Sequence, residues 1–255
     1  MTAQDNVRVF WNTVKMCSTK YYKECRVMRE NTMFYPDPTL YPAVNTEARS
    51  NVVFKKSGSM SAAYDATFNK GRVAVLDFAD ARKPGGYPEY GAFTQEENMC
   101  RCSTLFQALV SHPEYYEYNS LFDAAYSNGA LYVPGVTMFK DDETYEGIPD
   151  RWFDVIVCPA PNRPVSASVI DARAFGIIKL AAYRKVDVLI LGAWGCGAFE
   201  QSPDVVGRAF ARALNICNPF REVIFAIRAT DGDWGSDNYE AVYNSFTAEY
   251  ASDVG

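Results

Sequence analysis

Two adjacent carboxylates, Glu96 and Glu97, follow closely on a glycine-bearing loop, Lys83-Pro84-Gly85-Gly86, within the stretch Asp77 to Cys102. Cleavage of a glycosidic bond needs a carboxylic acid to protonate the leaving oxygen and a carboxylate to activate water at the anomeric carbon, and one residue can do both in turn if acid and water approach from the same side. Proline removes a backbone donor, while paired glycines permit positive φ and bring a ligand close to bare amides. Gln95-Glu96-Glu97 opens a segment whose apolar residues Met99, Cys102, Leu105, Phe106 and Leu109 recur at helical spacing, so both carboxylates fall in a first helical turn. Successive helical positions point about 100° apart, which predicts that one glutamate faces the loop while the other points aside. Acidic residues in a first turn also complement the helix dipole, so spacing alone leaves a purely structural reading open.

A second glycine loop, Gly192-Ala193-Trp194-Gly195-Cys196-Gly197, has the same setting, after an apolar run and before a helical pattern from about Pro203 to Leu214. Strand, glycine loop and helix start is the arrangement that aims several amides at a phosphate. The loop lacks the Gly-Lys-Ser/Thr of a Walker motif, and its glycine spacing is not that of the dinucleotide fingerprint. A tight turn is the plain alternative. Gly195, Cys196, Gly197 and Ala198 are thus candidate ligand contacts, and Phe199 is placed to pack on a sugar. Cys196 has no partner in the sequence that would activate it as a nucleophile.

Positioning these loops falls to the elements around them. Val73 to Phe78 and Val186 to Leu191 read as buried strands, as do Asn51 to Lys55, Phe153 to Val157 and Glu222 to Ala226. Leu131 to Val133 and Val136 to Phe139 flank Pro134-Gly135. Helical patterns cover 6–30, with lysines and arginines on one face, and 59–68, 114–127, 170–184 and 236–250; 31–45 reads as loop. Alternation of strands and helices predicts an α/β fold, a three-layer α/β/α arrangement around a central mixed sheet.

The 255 residues, 48% hydrophobic, form no repeat and no low-complexity linker, which predicts one domain. No secretory leader and no apolar run of membrane-spanning length is apparent, so a cytoplasmic protein that does not engage membranes is expected. Seven cysteines then read as reduced thiols, and with a single histidine, His112, beside Pro113, neither a metal site nor a histidine triad is expected. His112 reads as a surface or capping residue. A net charge of −6 argues against DNA or RNA as partners, though not against a small anion held by amides.

The stretch resembles the signature of the bacterial-type poly(ADP-ribose) glycohydrolases, macrodomain-like proteins with a glycine triplet, a short spacer and Gln-Glu-Glu. Gly85-Gly86, Gly91-Ala92 and Gln95-Glu96-Glu97 fall in that register. Val133-Pro134-Gly135-Val136, Phe139-Lys140-Asp141-Asp142, Pro159-Ala160-Pro161-Asn162 and Leu191 to Phe199 extend the likeness over most of the chain. Tyr87 stands in place of the third glycine, and Asp77 where an asparagine contacting the distal ribose is expected.

The resemblance implies a single macrodomain-like domain over 1–255, with a helical extension around 1–45, that acts as a monomer without cofactor. It implies hydrolysis of the ribose–ribose O-glycosidic bonds of poly(ADP-ribose), with Glu97 as acid and then base and Glu96 holding a ribose hydroxyl. Asp77, Gly85, Gly86, Tyr87 and Gln95 are the ligand contacts it implies beside the second loop. The expected partner is ADP-ribose or its polymer on modified proteins. The departures at Tyr87 and Asp77 leave two alternatives: an ADP-ribose-binding module with little turnover, or a hydrolase of another ADP-ribose conjugate.

Overall fold

Five of the seven strands run parallel, and their carboxyl ends gather at one edge of the sheet. In the computed structural model, which describes residues 1–44, 50–69, 71–228 and 234–251, the strands are β1 (Met33–Tyr35), β2 (Asn51–Lys55), β3 (Val73–Phe78), β4 (Ala130–Lys140), β5 (Gly147–Cys158), β6 (Val188–Leu191) and β7 (Glu222–Ala226). They form one sheet in the order β1-β4-β5-β3-β6-β7-β2, with β5, β3, β6, β7 and β2 parallel and the β1–β4 and β4–β5 pairs antiparallel. This is the mixed sheet that the alternation predicts.

Successive strand residues supply two cores. Ala74, Leu76, Ile156, Leu189 and Phe225 pack under α7 (Ala167–Tyr183), α8 (Pro203–Ile216) and α9 (Trp234–Ala251). Val73, Val75, Val155, Ile190 and Ile224 pack on the other face under α1 (Ala3–Thr19), α3 (Ser59–Ala66), α4 (Gln95–Cys102) and α5 (Leu105–Leu109). Period-two alternation with apolar residues on both faces is the mark of a sheet covered by helices on each side.

Several elements differ from their sequence reading. The helical pattern over 6–30 is two helices, α1 and α2 (Tyr22–Asn31), and β1 lies in a stretch expected to be loop. The long helix expected after Gln95 is broken: Ser103 adopts an extended φ of −145° and bridges Met138, separating α4 from α5. The two runs flanking Pro134-Gly135 are one strand, β4, with a register shift where Gly135, at φ +68°, donates its amide to Asp154 Oδ1 at 2.9 Å. The helix read over 114–127 is the shorter α6 (Pro113–Ser120). At its start His112 bonds Glu114 Oε1 through Nδ1 at 2.8 Å, in keeping with a structural role.

Helix α1 belongs to the site-bearing layer. Its Phe10 lies in the core, Thr13 donates to the carbonyl of Arg101 at 2.5 Å, and Asn6 donates to the carbonyl of Gly91 at 3.2 Å. No helix among the described residues is long and apolar enough to cross a membrane.

Candidate active site

A cavity of about 620 Å³ opens at the carboxyl edge of the parallel strands. Every parallel strand contributes the segment that follows it: Ser57 to Ser59 after β2, Asp80 to Thr94 after β3, Ala160 after β5, Ala193 to Phe199 after β6, and Ile227 and Arg228 after β7. This is where open α/β sheets bind ligands, because the helices that follow leave amides pointing outward.

The first loop is assembled by Asp80, whose Oδ1 accepts from the amides of Arg82 and Lys83 at 2.7 and 2.9 Å. Gly85 and Gly86 take φ values of +73° and +68° and turn the chain back over α4. A Cβ on Gly86 would lie 2.4 Å from Glu97 Oε1 and 3.5 Å from Glu96 Oε2, so both carboxylates face the same piece of bare backbone. The expectation that one points aside therefore fails: side chains this long overcome the divergence of their Cα–Cβ bonds.

Their settings differ. Glu97 Oε2 accepts from the Thr94 amide at 3.0 Å and from the Thr94 hydroxyl, and its Oε1 accepts from the Tyr87 amide at 3.1 Å. The Thr94 contact is half of a capping box, Thr-x-x-Glu, which fixes Glu97 as the third residue of α4. Glu96 Oε2 accepts only from the Asp80 amide at 2.8 Å, while its Oε1 is buried without a protein partner. Burial, and then the neighbouring Asp77, push the Glu96 carboxyl well above the ordinary carboxylate range.

Asp77 is not on the cavity wall. It shares the β3 face of Val73 and Val75, is fully buried, and has neither carboxylate oxygen partnered. Burial, reinforced by Glu97, drives its carboxyl well above its usual range as well. It therefore touches no ligand in the cavity directly, contrary to the contact the resemblance implies, and acts on the site through Glu96, whose proton it helps to hold. Asp80, two residues beyond the strand, lines the cavity instead.

The folded protein holds the Asp77 and Glu96 protons more tightly than the unfolded chain does. Their burial therefore lowers stability progressively as pH rises above about 4, until the folded-state pKa values are passed. Asp77→Asn removes the Asp77 share. Its Tm should exceed that of the wild type at pH 8 and converge with it near pH 4, each kcal/mol reading as about 2–4 °C. A lower Tm at pH 8 in thermal melts across pH would mean that Asp77 is ionised and paired.

The other expected contacts divide. Gly86, Tyr87, Gln95, Gly195, Gly197, Ala198 and Phe199 line the cavity, whereas Gly85 and Cys196 do not. Gly85 packs under Phe106, and a Cβ there would lie 2.9 Å from its ring. The Cys196 thiol is buried, which pushes it up to about 12 and leaves it inert. Gln95 spends its amide on β3, accepting from Phe78 N at 2.8 Å and donating to Leu76 O at 2.9 Å, and so pins the start of α4 to the strand.

Trp194, fully buried, anchors the second loop by donating to Cys158 O at 3.0 Å. Among the described residues the amides of Gly195, Gly197 and Ala198 have no protein acceptor, as a loop that receives an anion requires.

One part of the cavity lining escaped the sequence reading. Asp142, buried, accepts from Arg228 Nη2 at 3.1 Å and from the Ser61 hydroxyl, and its carbonyl accepts from Asn98 at 3.0 Å. Asn98 accepts in turn from Tyr145, which accepts from Arg101 at 3.1 Å, and Arg101 donates to Ala92 O at 2.7 Å. One buried network thus joins the first loop to Arg228, the one cation among the described residues lining the cavity. Phe139-Lys140-Asp141-Asp142 pointed to this hairpin without giving its partner, which lies 86 positions away.

No curated protein sequence matches this chain. Among solved structures, poly(ADP-ribose) glycohydrolase (PARG) from Thermomonospora curvata superposes with a TM-score of 0.84 at 25% identity, covering 95% of this chain and all of the other. The same enzyme bound to the inhibitor ADP-HPD gives 0.83 at 26% identity with the same coverage. PARG from Deinococcus radiodurans in complex with ADP-ribose gives 0.78 at 25%, over 89% of this chain and 98% of that one. The sequence pattern described as microbial-type PARG, catalytic domain, matches residues 12–141, just over half of the chain and the part that carries the first loop and both glutamates. By this match, the chain belongs to the microbial-type poly(ADP-ribose) glycohydrolase family.

Proposed function

We propose that this protein hydrolyses the ribose–ribose O-glycosidic bonds of poly(ADP-ribose) and that Glu97 carries the chemistry. The observation that supports it most directly is the convergence of Glu96 and Glu97 on the bare backbone of Gly86, at the end of a cavity whose other wall is an amide-rich loop. Mere binding needs no such carboxylate pair.

In this reading the diphosphate of a terminal ADP-ribose lies along the amides of Gly195, Gly197 and Ala198, with Phe199 against the distal ribose and Arg228 as the cation of the cavity wall. Protonated Glu97 gives its proton to the leaving oxygen as the bond from the anomeric carbon breaks. Water then attacks that carbon, and its proton returns to Glu97, restoring the starting state. The Thr94 hydroxyl serves both stages, since it can donate to the carboxylate or accept from the acid. Glu96, held on the Asp80 amide, positions a ribose hydroxyl.

Time-resolved release of ADP-ribose from purified polymer tests the assignment, and a protein that binds ADP-ribose without releasing it from polymer would overturn it. Among the described residues no group of three or more histidine, cysteine, aspartate or glutamate side chains is placed to hold a metal ion. Turnover should accordingly persist in chelator; loss restored by Zn²⁺ or Mg²⁺ would identify a metal requirement.

A further inference from the structure

Next to Glu97, beginning with Tyr87 on the rim of the cavity, stands an aromatic pair that no core packing explains. Tyr87 is 50% exposed and Tyr90 72% exposed, with ring centroids 6.4 Å apart and planes tilted by 41°. Lys83 Nζ lies 3.8 Å from the Tyr87 centroid and 5.0 Å from that of Tyr90, and is itself paired with Glu89. With Lys83 set over its ring, Tyr87 is still 50% exposed.

The turn that carries these rings is pinned rather than loose. Tyr87 has φ −125°, so the position that a third glycine would occupy is unstrained, and its amide is the donor to Glu97 Oε1. Tyr90 N donates to Tyr87 O at 3.2 Å and Gly91 N to Pro88 O at 3.1 Å. Gly91, at φ +81°, sits so close under α1 that a Cβ would lie 2.3 Å from Ala3 O. Large rings displayed on a fixed backbone lose little entropy on binding, which is the condition for a stacking platform.

We propose that Tyr87 and Tyr90 form the subsite that receives the adenine base of the leaving ADP-ribose unit. The inference rests on the glycohydrolase reading and extends it. In poly(ADP-ribose) the scissile oxygen is the 2′-oxygen of the next unit's adenosine, so a purine is tied one sugar away from the atom that Glu97 protonates. Tyr87 is joined to that carboxylate by its own amide, and its ring and that of Tyr90 are exposed on the turn that carries this amide. Base stacking is sequence-tolerant and needs only an open π-face, and the adjoining ammonium of Lys83 suits the phosphates that follow the base. The platform selects polymer over conjugates whose leaving group lacks a base.

The test compares two substrates, purified polymer and a simple aryl O-glycoside of ADP-ribose. Tyr90 makes no contact with the cavity or the carboxylates, so Tyr90→Ala should hydrolyse the aryl glycoside at the wild-type rate. For polymer its KM should rise about tenfold with kcat nearly unchanged, the loss expected for one stacked base, and Tyr90→Trp should restore it. Wild-type KM for polymer in Tyr90→Ala, or an equal loss on both substrates, would overturn the proposal. Failure of the underlying reading is distinct, for it would show in the wild type as no hydrolysis of either substrate.

Discussion

Glu97→Gln should lower kcat on poly(ADP-ribose) by about 10³-fold or more, because one residue serves as both acid and base and each role is worth about 10²–10⁴-fold. Affinity for ADP-ribose should change only a few-fold. The amide fills the same volume, and its oxygen can still accept from Tyr87 N or from Thr94 N, the two backbone donors that fix Glu97. Its NH₂ group must then face the other donor, a mismatch of about 1–3 kcal/mol that melts will register. Glu96→Gln makes the contrast. Burial already favours the protonated acid at that position, and the Asp80 amide can bond an amide oxygen as readily as a carboxyl. Its loss of rate should therefore be clearly smaller. Single-turnover kinetics with titration calorimetry on both variants decide the assignment: if Glu96→Gln were the more damaging, the two roles would have to be exchanged.

Much of this site can be read from the chain, and the parts that cannot have identifiable causes. The glycine loop, the Gln-Glu-Glu triplet and the strand before them are local, and local chemistry fixes them. Thr94 is legible too, since Thr94-x-x-Glu97 is a capping box in plain sequence. The misplacement of Asp77 follows from counting along the family's pattern rather than along the strand: Val73, Val75 and Asp77 alternate onto one face, and that face is the core. Asp142 with Arg228 is of another kind. Neither residue is distinctive alone: the β4–β5 pairing sets the hairpin that carries Asp142, whereas Arg228 arrives from the end of β7, across the sheet. The break at Ser103 likewise depends on Met138 in another strand, which no helical periodicity reveals.

Gly86→Ala should damage catalysis more than its one added methyl would suggest. At φ +68° an alanine is strained by about 1–2 kcal/mol, a loss of several degrees in Tm that leaves the fold intact. The larger effect is at the carboxylate. The new Cβ would lie 2.4 Å from Glu97 Oε1 and 3.0 Å from its Cδ, closer than real side chains approach. Glu97 cannot swing aside freely, because Thr94 holds Oε2 through amide and hydroxyl and Tyr87 N holds Oε1. Either the loop lifts from α4, drawing the Tyr87 amide off the carboxylate, or the carboxylate breaks from Thr94. Both move the proton-transferring oxygen by about 1 Å relative to the scissile bond, and a misplacement of that size is worth about 10²-fold in rate. Polymer hydrolysis should fall by about that factor, whereas ADP-ribose affinity, shared with the second loop and Arg228, should fall less. Wild-type turnover in a folded Gly86→Ala protein would mean that Glu97 does not act from the position in which Thr94 and Tyr87 hold it.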